Sequence, residues 1–588
     1  MKDYKGQWDL GILYDGFGDE KLTADVNALA DGIRELGLLA GSLEGMPGKD
    51  LLHRYTDIGE RVTELSAKLF GYANLVYSTN TSDTEAAALM GHLQAMLSET
   101  AAPNTAIRHA VSRIGNVDEL LENDPLLREY AFSIRQIVDD SRYLLSDREE
   151  KVFSVMSISG ASAWSDLHST LLSSVTVDYR GEQIPLSAAR NLAYDGDPAV
   201  RKEAYEAELG CYPKVDQAGA FALNSIKLQV LNECRLRGFA SPLEQALYRS
   251  RMSRATLDAL IGAMNEYMPK FREYLKAKGR ALGHENGLPW YDMFAPMGSL
   301  DRKYSVDEAK EYLLGIFGEF DGELHDMVKR AFEENWIDFF PRRGKVGGAF
   351  DAPVPSAKQS RILTNYDGAF GDIVTLAHEL GHAFHDQQVF GHSILQQDYT
   401  MPVAETASTF NEVLVVSTAI GRAKTKEEKL ALIESQLQDA CQIITDIYSR
   451  YLFETAVFEN RDNEFMYPDR LCGLMHKAQL DSYGDGITED TLHPYMWLCK
   501  GHYYSGGLSF YNFPYAFGGL FARGLYAIYQ KQGQAFVPLY KSLLRATSTS
   551  SVEDTAKMAG IDLTDRAFWR EGLQSLADEI DEFISLVN

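Results

Sequence analysis

Cysteine is scarce in this chain, with five in 588 residues. Cys211, Cys234, Cys441, Cys472 and Cys499 are odd in number, widely scattered and include no C-x-x-C pair. That spacing argues against a disulfide framework and points to a reducing compartment, expected to be the cytoplasm. Long apolar runs are missing too. No uncharged apolar stretch of about 20 residues occurs, so no membrane-spanning helix is expected. The opening Met1-Lys2-Asp3-Tyr4-Lys5-Gly6-Gln7-Trp8 lacks the apolar run of a signal peptide. Basic residues are outnumbered by acidic ones, 57 to 84, for a net charge of −27. Phosphate binding needs clustered Lys and Arg, so neither nucleic acid nor an anionic membrane is an expected partner. Repeats, low-complexity tracts and long linkers are also absent. Length alone suggests about four units, and the lack of linkers argues for fewer, larger ones.

What is present is a helix-like stretch, Asp372-Ile373-Val374-Thr375-Leu376-Ala377-His378-Glu379-Leu380-Gly381-His382-Ala383-Phe384-His385. Ile373, Leu376, Ala377, Leu380 and Phe384 recur at helical spacing and form one apolar stripe. His378 and His382 lie about 40° apart around that helix, one turn apart along its axis, on the side away from the stripe. Two imidazoles so placed can reach one tetrahedral zinc ion. Glu379, between them, is placed as general base on a metal-activated water. A histidine that only filled the core would share the apolar face.

A third ligand is required. A metzincin would need Gly at 385 and His at 388, where this chain has His385 and Gln388, so that class is excluded. The stretch from Met401 to Glu412 offers another source. Val403, Ala407, Phe410 and Leu414 make an apolar stripe, and Glu405 and Glu412 share the opposite face of what reads as one helix. Glu405 is therefore the expected third ligand. Glu412, two turns on, is the expected acceptor for the N–H of a ligand histidine.

The sequence His378-Glu379-Leu380-Gly381-His382, followed by Glu405-Thr406-Ala407-Ser408, resembles the zinc oligopeptidases of the thimet oligopeptidase and oligoendopeptidase F group, the oligoendopeptidase F branch above all. The resemblance runs along nearly the whole chain. From about 19 to 150 the pattern is helical, and His53, His92 and His109 are isolated. Gly160-Ala161-Ser162-Ala163-Trp164 opens a further helix. Ser174–Tyr179 and Gln183–Leu186 flank Arg180-Gly181 as a hairpin. Asp197-Pro198 then supplies an N-cap and first-turn proline. This part resembles the amino-terminal domain of oligoendopeptidase F proteins. It implies a helical domain over 1–200, with its characteristic segment near 115–185, and a catalytic domain over 201–588.

Three later stretches complete the reading. Gly287–Pro296, rich in turn formers and aromatics, either lines a binding cleft or packs two helices together. Lys345–Phe350 and Arg361–Tyr366 read as two strands of a small sheet. Gly347, Gly348 and Ala349 could let a peptide lie against their backbone as an added strand. The segment from Lys500 to Gly518 carries His502, Tyr504, Tyr511 and Tyr515. Phenols and an imidazole are good donors to an oxyanion, and the segment resembles the His-plus-tyrosine segment of these oligopeptidases, with wider spacing between its histidine and tyrosine pair. His502, Tyr511 and Tyr515 are assigned to that catalytic role and Tyr504 to substrate contact.

The expected fold is mainly α, with a small sheet beside the active site. The resemblance implies an elongated, two-lobed helical body around a deep channel. The expected function is zinc-dependent endopeptidase action on short, unstructured oligopeptides, with one Zn2+ per chain held by His378, His382 and Glu405. A metallocarboxypeptidase or peptidyl-dipeptidase is the alternative, but no basic cluster near the ligands in sequence suggests a seat for a free carboxylate. A non-enzymatic peptide binder with a structural metal is disfavoured because structural zinc sites are closed by four protein ligands. Oligomeric state is not legible.

Overall fold

The structure is a computed structural model that describes residues 6–300 and 302–588; the opening residues 1–5 lie outside the described residues. Helices dominate, as expected, and among the described residues five short strands form two small sheets. The stretch from about 19 to 150, read as helical, includes the helices Gly48–Thr79 and Thr84–Ser98.

Local chemistry explains many boundaries. Strands β1 (Thr176–Tyr179) and β2 (Glu182–Pro185) pair antiparallel, Tyr179 opposite Glu182. The two residues between them, Arg180 and Gly181, both have positive φ, 55° and 83°, as the twist of a two-residue hairpin requires. Asp197 accepts the amide of Ala199, and Pro198 opens the helix that runs to Cys211. Ser305 and Glu308 cap the helix Val306–Phe320 reciprocally.

The second sheet holds β3 (Ile337–Asp338), β4 (Phe350–Val354) and β5 (Gln359–Leu363) in the order β3-β5-β4. Strand β4 is antiparallel to β5 and has no strand on its other side among the described residues. The first strand thus begins at Phe350, five residues after the start expected at Lys345. Residues 345–349 instead form a loop in which Gly348 has φ +78° and the Asn365 amide ties down the carbonyls of Val346 and Gly348. The Asn365 side chain takes up carbonyls that a ladder would otherwise use.

The largest apolar cluster joins Leu257–Leu275, Leu313–Phe332, the stripe Ile373–Phe384, Phe410–Val415 and Phe517–Phe583. A second cluster joins Val175–Leu186, Cys211–Ile226 and Phe453–Tyr504. Two smaller ones hold the amino-terminal helices, one of them reaching Val354 and Leu363 of the sheet. The boundary expected near residue 200 runs through the second cluster, because the hairpin packs against helices from both sides of it. Between the first two clusters lies a cavity of about 470 Å³, whose wall includes Ala189 and Met496 of one and Met293 and Tyr483 of the other. Trp290, Tyr291 and Phe294 of the Gly287–Pro296 loop line it.

Candidate active site

The motif stretch lies inside the helix Phe370–Val389. Its start is set by Asp372, whose carboxylate accepts the amides of Asp367, Gly368 and Ala369 at 2.9–3.0 Å. Ile373, Leu376, Ala377, Leu380 and Phe384 are all buried in the main core. His378 and His382 emerge on the other side, one quarter or less exposed. The third histidine of the stretch, His385, is fully buried, stacked 4.1 Å from Tyr399, with Nε2 2.8 Å from Thr547 Oγ1. Burial pushes it down to about 3, so it is a neutral packing group.

Glu405 arrives differently from the expectation. Residues 401–412 are two helices, Met401–Ala404 and Thr406–Arg422, with Glu405 at the break in a non-helical conformation, φ −85° and ψ 9°. The reason is local. Ser408 donates to Glu405 Oε2 at 2.7 Å, holding the carboxylate across the first turn of the second helix. That helix packs against the motif helix at Gly381, where an added Cβ would lie 2.5 Å from Ser408 Cα and 2.6 Å from the Ala407 carbonyl oxygen. Only glycine permits this approach.

The result is a triangle of ligand atoms. His378 Nε2 and His382 Nε2 are 3.1 Å apart, and each is 3.4 Å from Glu405 Oε2. Ligands at about 2.0–2.1 Å in a zinc tetrahedron are about 3.3–3.4 Å apart, so the three atoms match one face of it. Glu412 Oε1 lies 2.9 Å from His378 Nδ1, which holds a ring proton there and aims Nε2 at the other two ligand atoms. Burial would lower the His378 pKa, but the Glu412 hydrogen bond and the charges of Glu412, Glu405 and Glu379 lift it to about 9. Burial would raise that of Glu405, but His382, His378 and the Ser408 hydroxyl bring it down to about 2. Without a metal the set is thus a full carboxylate beside a protonated His378, and a divalent cation fits it by displacing the Nε2 proton and taking over the attraction of the surrounding carboxylates.

Glu379 is buried at 6% exposure, and burial raises its pKa against the opposing pull of both histidines and the Asp351 backbone amide. Strand β4 therefore runs directly beside the proposed base. Gly347, Gly348 and Ala349 lie in the loop that leads into it; the two glycines are exposed and would meet nothing within 4 Å of an added Cβ. Beneath lie residues that periodicity missed. Asp386, one turn beyond His382, faces Asp351 and accepts from Tyr399 at 2.9 Å. Burial raises both carboxyls of that pair. The available signal was the one-turn spacing of Asp386 from His382.

The aromatic segment divides. The His502 ring lies 5.0 Å from Tyr511 and 6.3 Å from Tyr515, and the two tyrosines are 5.6 Å apart, edge to face. Burial, with Tyr511 and Glu405 nearby, pushes Tyr515 up to about 12, which keeps it a protonated donor. Tyr511 follows Phe510, a buried residue forced to φ +53° and packed on Phe458. Asn512 caps the helix Phe513–Gln532 that carries Tyr515, and is itself held by Glu454, paired with buried Lys227 at 2.7 Å. Tyr504 goes elsewhere. It is 1% exposed in the second apolar cluster, stacked 3.4 Å from His168, so the substrate contact assigned to it is corrected to core packing.

Two histidines and a glutamate on adjoining helices of a predominantly helical fold make a donor set of the kind a metallopeptidase uses. The chain belongs to peptidase family M3: the profile of Peptidase family M3 matches residues 191–575, and that of Oligopeptidase F matches residues 115–176. It is 23% identical to oligopeptidase PepF of Bacillus subtilis, over 97% of this chain and 86% of the relative. It is 25% identical to group B oligopeptidase PepB of Streptococcus agalactiae, over 99% and 97%. Its fold is that of a putative peptidase from Chlamydophila abortus, with a TM-score of 0.84, 21% identity and coverage of 99% and 98%. Oligoendopeptidase-F from Enterococcus faecium shares the fold, with a TM-score of 0.71, 20% identity and coverage of 97% and 98%. These relatives make the enzyme a metalloendopeptidase of the oligoendopeptidase F kind.

Proposed function

We propose that this enzyme hydrolyses internal bonds of short, unstructured oligopeptides with one zinc ion held by His378, His382 and Glu405. The observation that carries this is the triangle of Nε2, Nε2 and Oε2 atoms at 3.1–3.4 Å, with Glu412 occupying the far nitrogen of His378. Zinc at that triangle would lower the pKa of a water molecule and polarise the scissile carbonyl. Glu379, made more basic by burial, takes the proton of the attacking water and delivers it to the leaving amine. Tyr511, Tyr515 and His502 donate to the oxyanion. Gly347–Ala349 and the free side of β4 receive the peptide backbone, and Glu412 and Ser408 hold the ligands in orientation.

The two-lobed channel reading draws support from the cavity between the two largest apolar clusters. Among the described residues no helix is long and apolar enough to cross a membrane. The five free thiols support a cytoplasmic location, and the division near residue 200 remains our proposal for the domain boundary.

Mapping the cleavage sites of a random peptide mixture, with chelated and zinc-restored protein, tests the function. Cuts at internal bonds, restored by zinc and made in end-blocked peptides as well, are expected. Cleavage confined to free carboxyl termini would replace the endopeptidase reading with the carboxypeptidase one. Casein, which has no fold to unravel, is expected to be cut poorly; rapid casein digestion at many sites would mean an open cleft in place of a channel.

A further inference from the structure

The cavity beside the active site carries charge that hydrolysis does not use. In a chain of net charge −27, its wall holds Arg190, Arg201 and Lys500. Arg201 is neutralised by buried Asp292, Nε to Oδ1 at 2.8 Å. Arg190 makes one ion pair among the described residues, Nε to Glu208 Oε1 at 3.3 Å, and that oxygen already accepts from Tyr212 at 2.5 Å. Its two terminal nitrogens are left unpaired among those residues. The Lys500 ammonium has neither hydrogen bond nor ion pair among the described residues. Asp446, the acid in electrostatic reach of it, is engaged by Arg450 and accepts from Tyr483. Burial, with Arg450 and Arg190 nearby, pushes the Lys500 ammonium down to about 8 against the pull of Asp446. The other carboxyl on the wall, Asp439, is pushed up to about 7 by burial and by Glu412 and Glu434, so at neutral pH it offsets these cations only in part.

Two cations held near each other in a part-buried wall, beside acids that other donors already engage, repel and lose solvation. An anion between them removes both costs. We propose that Arg190 and Lys500 form a carboxylate-binding subsite of the cavity, a reading that rests on the peptidase function and names a group its substrates carry. The guanidinium presents parallel N–H donors to a planar carboxylate, and the ammonium adds a point charge. Tyr194, Tyr205, Trp290 and Phe294 on the same wall suit peptide side chains. Lys500 lies within electrostatic reach of His502, and Asp439 of Glu412, so two residues of the cavity wall neighbour residues of the active site. A basic seat that the sequence did not reveal is assembled here from residues over 300 positions apart.

The carboxylate is either the free C-terminus or an acidic side chain, and paired substrates separate the two. One pair differs only as C-terminal acid against amide, the other only as Glu against Gln at each position flanking the cleaved bond. With zinc-loaded wild type, one pair is expected to show a kcat/KM ratio of about tenfold or more in favour of the acid, carried by KM, the weight of a charge-assisted hydrogen bond. A ratio in the first pair assigns the C-terminus, and one in the second assigns a side chain. In Lys500→Met and in Arg190→Gln the ratio is expected to collapse toward one, and Lys500→Arg should restore most of it. Cleavage of all peptides with every ratio near one overturns the subsite and leaves the peptidase standing. So does a wild-type ratio that survives in both variants. Failure to cut any peptide overturns the peptidase reading instead, and equilibrium binding of the same uncleaved pairs then decides the subsite by the same ratios. The wild-type comparison needs no variant to fold.

Discussion

The triangle of His378, His382 and Glu405 can be set beside a second cluster of ligand-type groups, Glu208, His493 and Cys499. Both combine a carboxylate and imidazole, and Glu208 and His493 of the second line the cavity. In the first, Glu412 takes the ring N–H of His378, and three ligand atoms converge with no Lys or Arg group of the described residues between them. In the second, Glu208 Oε1 is already approached by Tyr212 at 2.5 Å, Arg190 at 3.3 Å and His493 Nε2 at 3.3 Å. The Cys499 thiol, pushed up to about 11 by burial, donates to Tyr212 at 2.8 Å. Residue types therefore do not make a metal site. The direction of the donors does, because an ion needs lone pairs that nothing else has claimed.

The sharpest way to break this contrast is by metal content. His378→Ala or Glu405→Ala is expected to lose the metal and with it the activity, whereas Glu208→Gln should keep one zinc per chain by elemental analysis. Full zinc in the first two variants would remove them from the ligand set, and loss in the third would mean that the second cluster also binds.

Within the first cluster, Glu379 is distinguished from its neighbours by role. Glu379→Gln should keep zinc and fold while turnover drops at least about a few hundred-fold. Near-normal kcat in the zinc-loaded variant would end the general-base assignment.

The phenols come next in size. Tyr511→Phe or Tyr515→Phe should cost about 3 kcal/mol in the transition state, lowering kcat more than it raises KM. If steady-state kinetics show both variants turning over normally, these tyrosines only pack. Tyr504→Phe should leave kinetics unchanged, since its ring is buried against His168.

The smallest effect concerns how the triangle is assembled. Gly381→Ala forces a Cβ onto Ser408 and Ala407 backbone atoms at 2.5–2.6 Å. Overpacking of this kind costs about 1–3 kcal/mol, read as a lower denaturation midpoint together with weaker zinc binding. A variant with unchanged stability and affinity would show that the helices separate freely and that Glu405 is placed by other contacts.

Much of the site is legible in the order of residues alone. The apolar stripe of the motif helix, the convergent histidines, the Arg180-Gly181 hairpin and the Asp197-Pro198 helix start depend on residues within a few positions of one another. Backbone sterics, capping and helical periodicity act over that range, so the local sequence by itself determined them. What lay beyond it was decided by packing between distant segments. Glu405 meets the two histidines because the helix that follows it packs against the motif helix at Gly381. Strand β4 begins later than expected because Asn365, just past the end of its partner β5, holds the preceding carbonyls. Tyr504 is drawn into the core by His168, and Arg190 is brought to Lys500 across the cavity. A side chain's solvation and partners are properties of the folded neighbourhood, and tertiary structure alone supplies that neighbourhood.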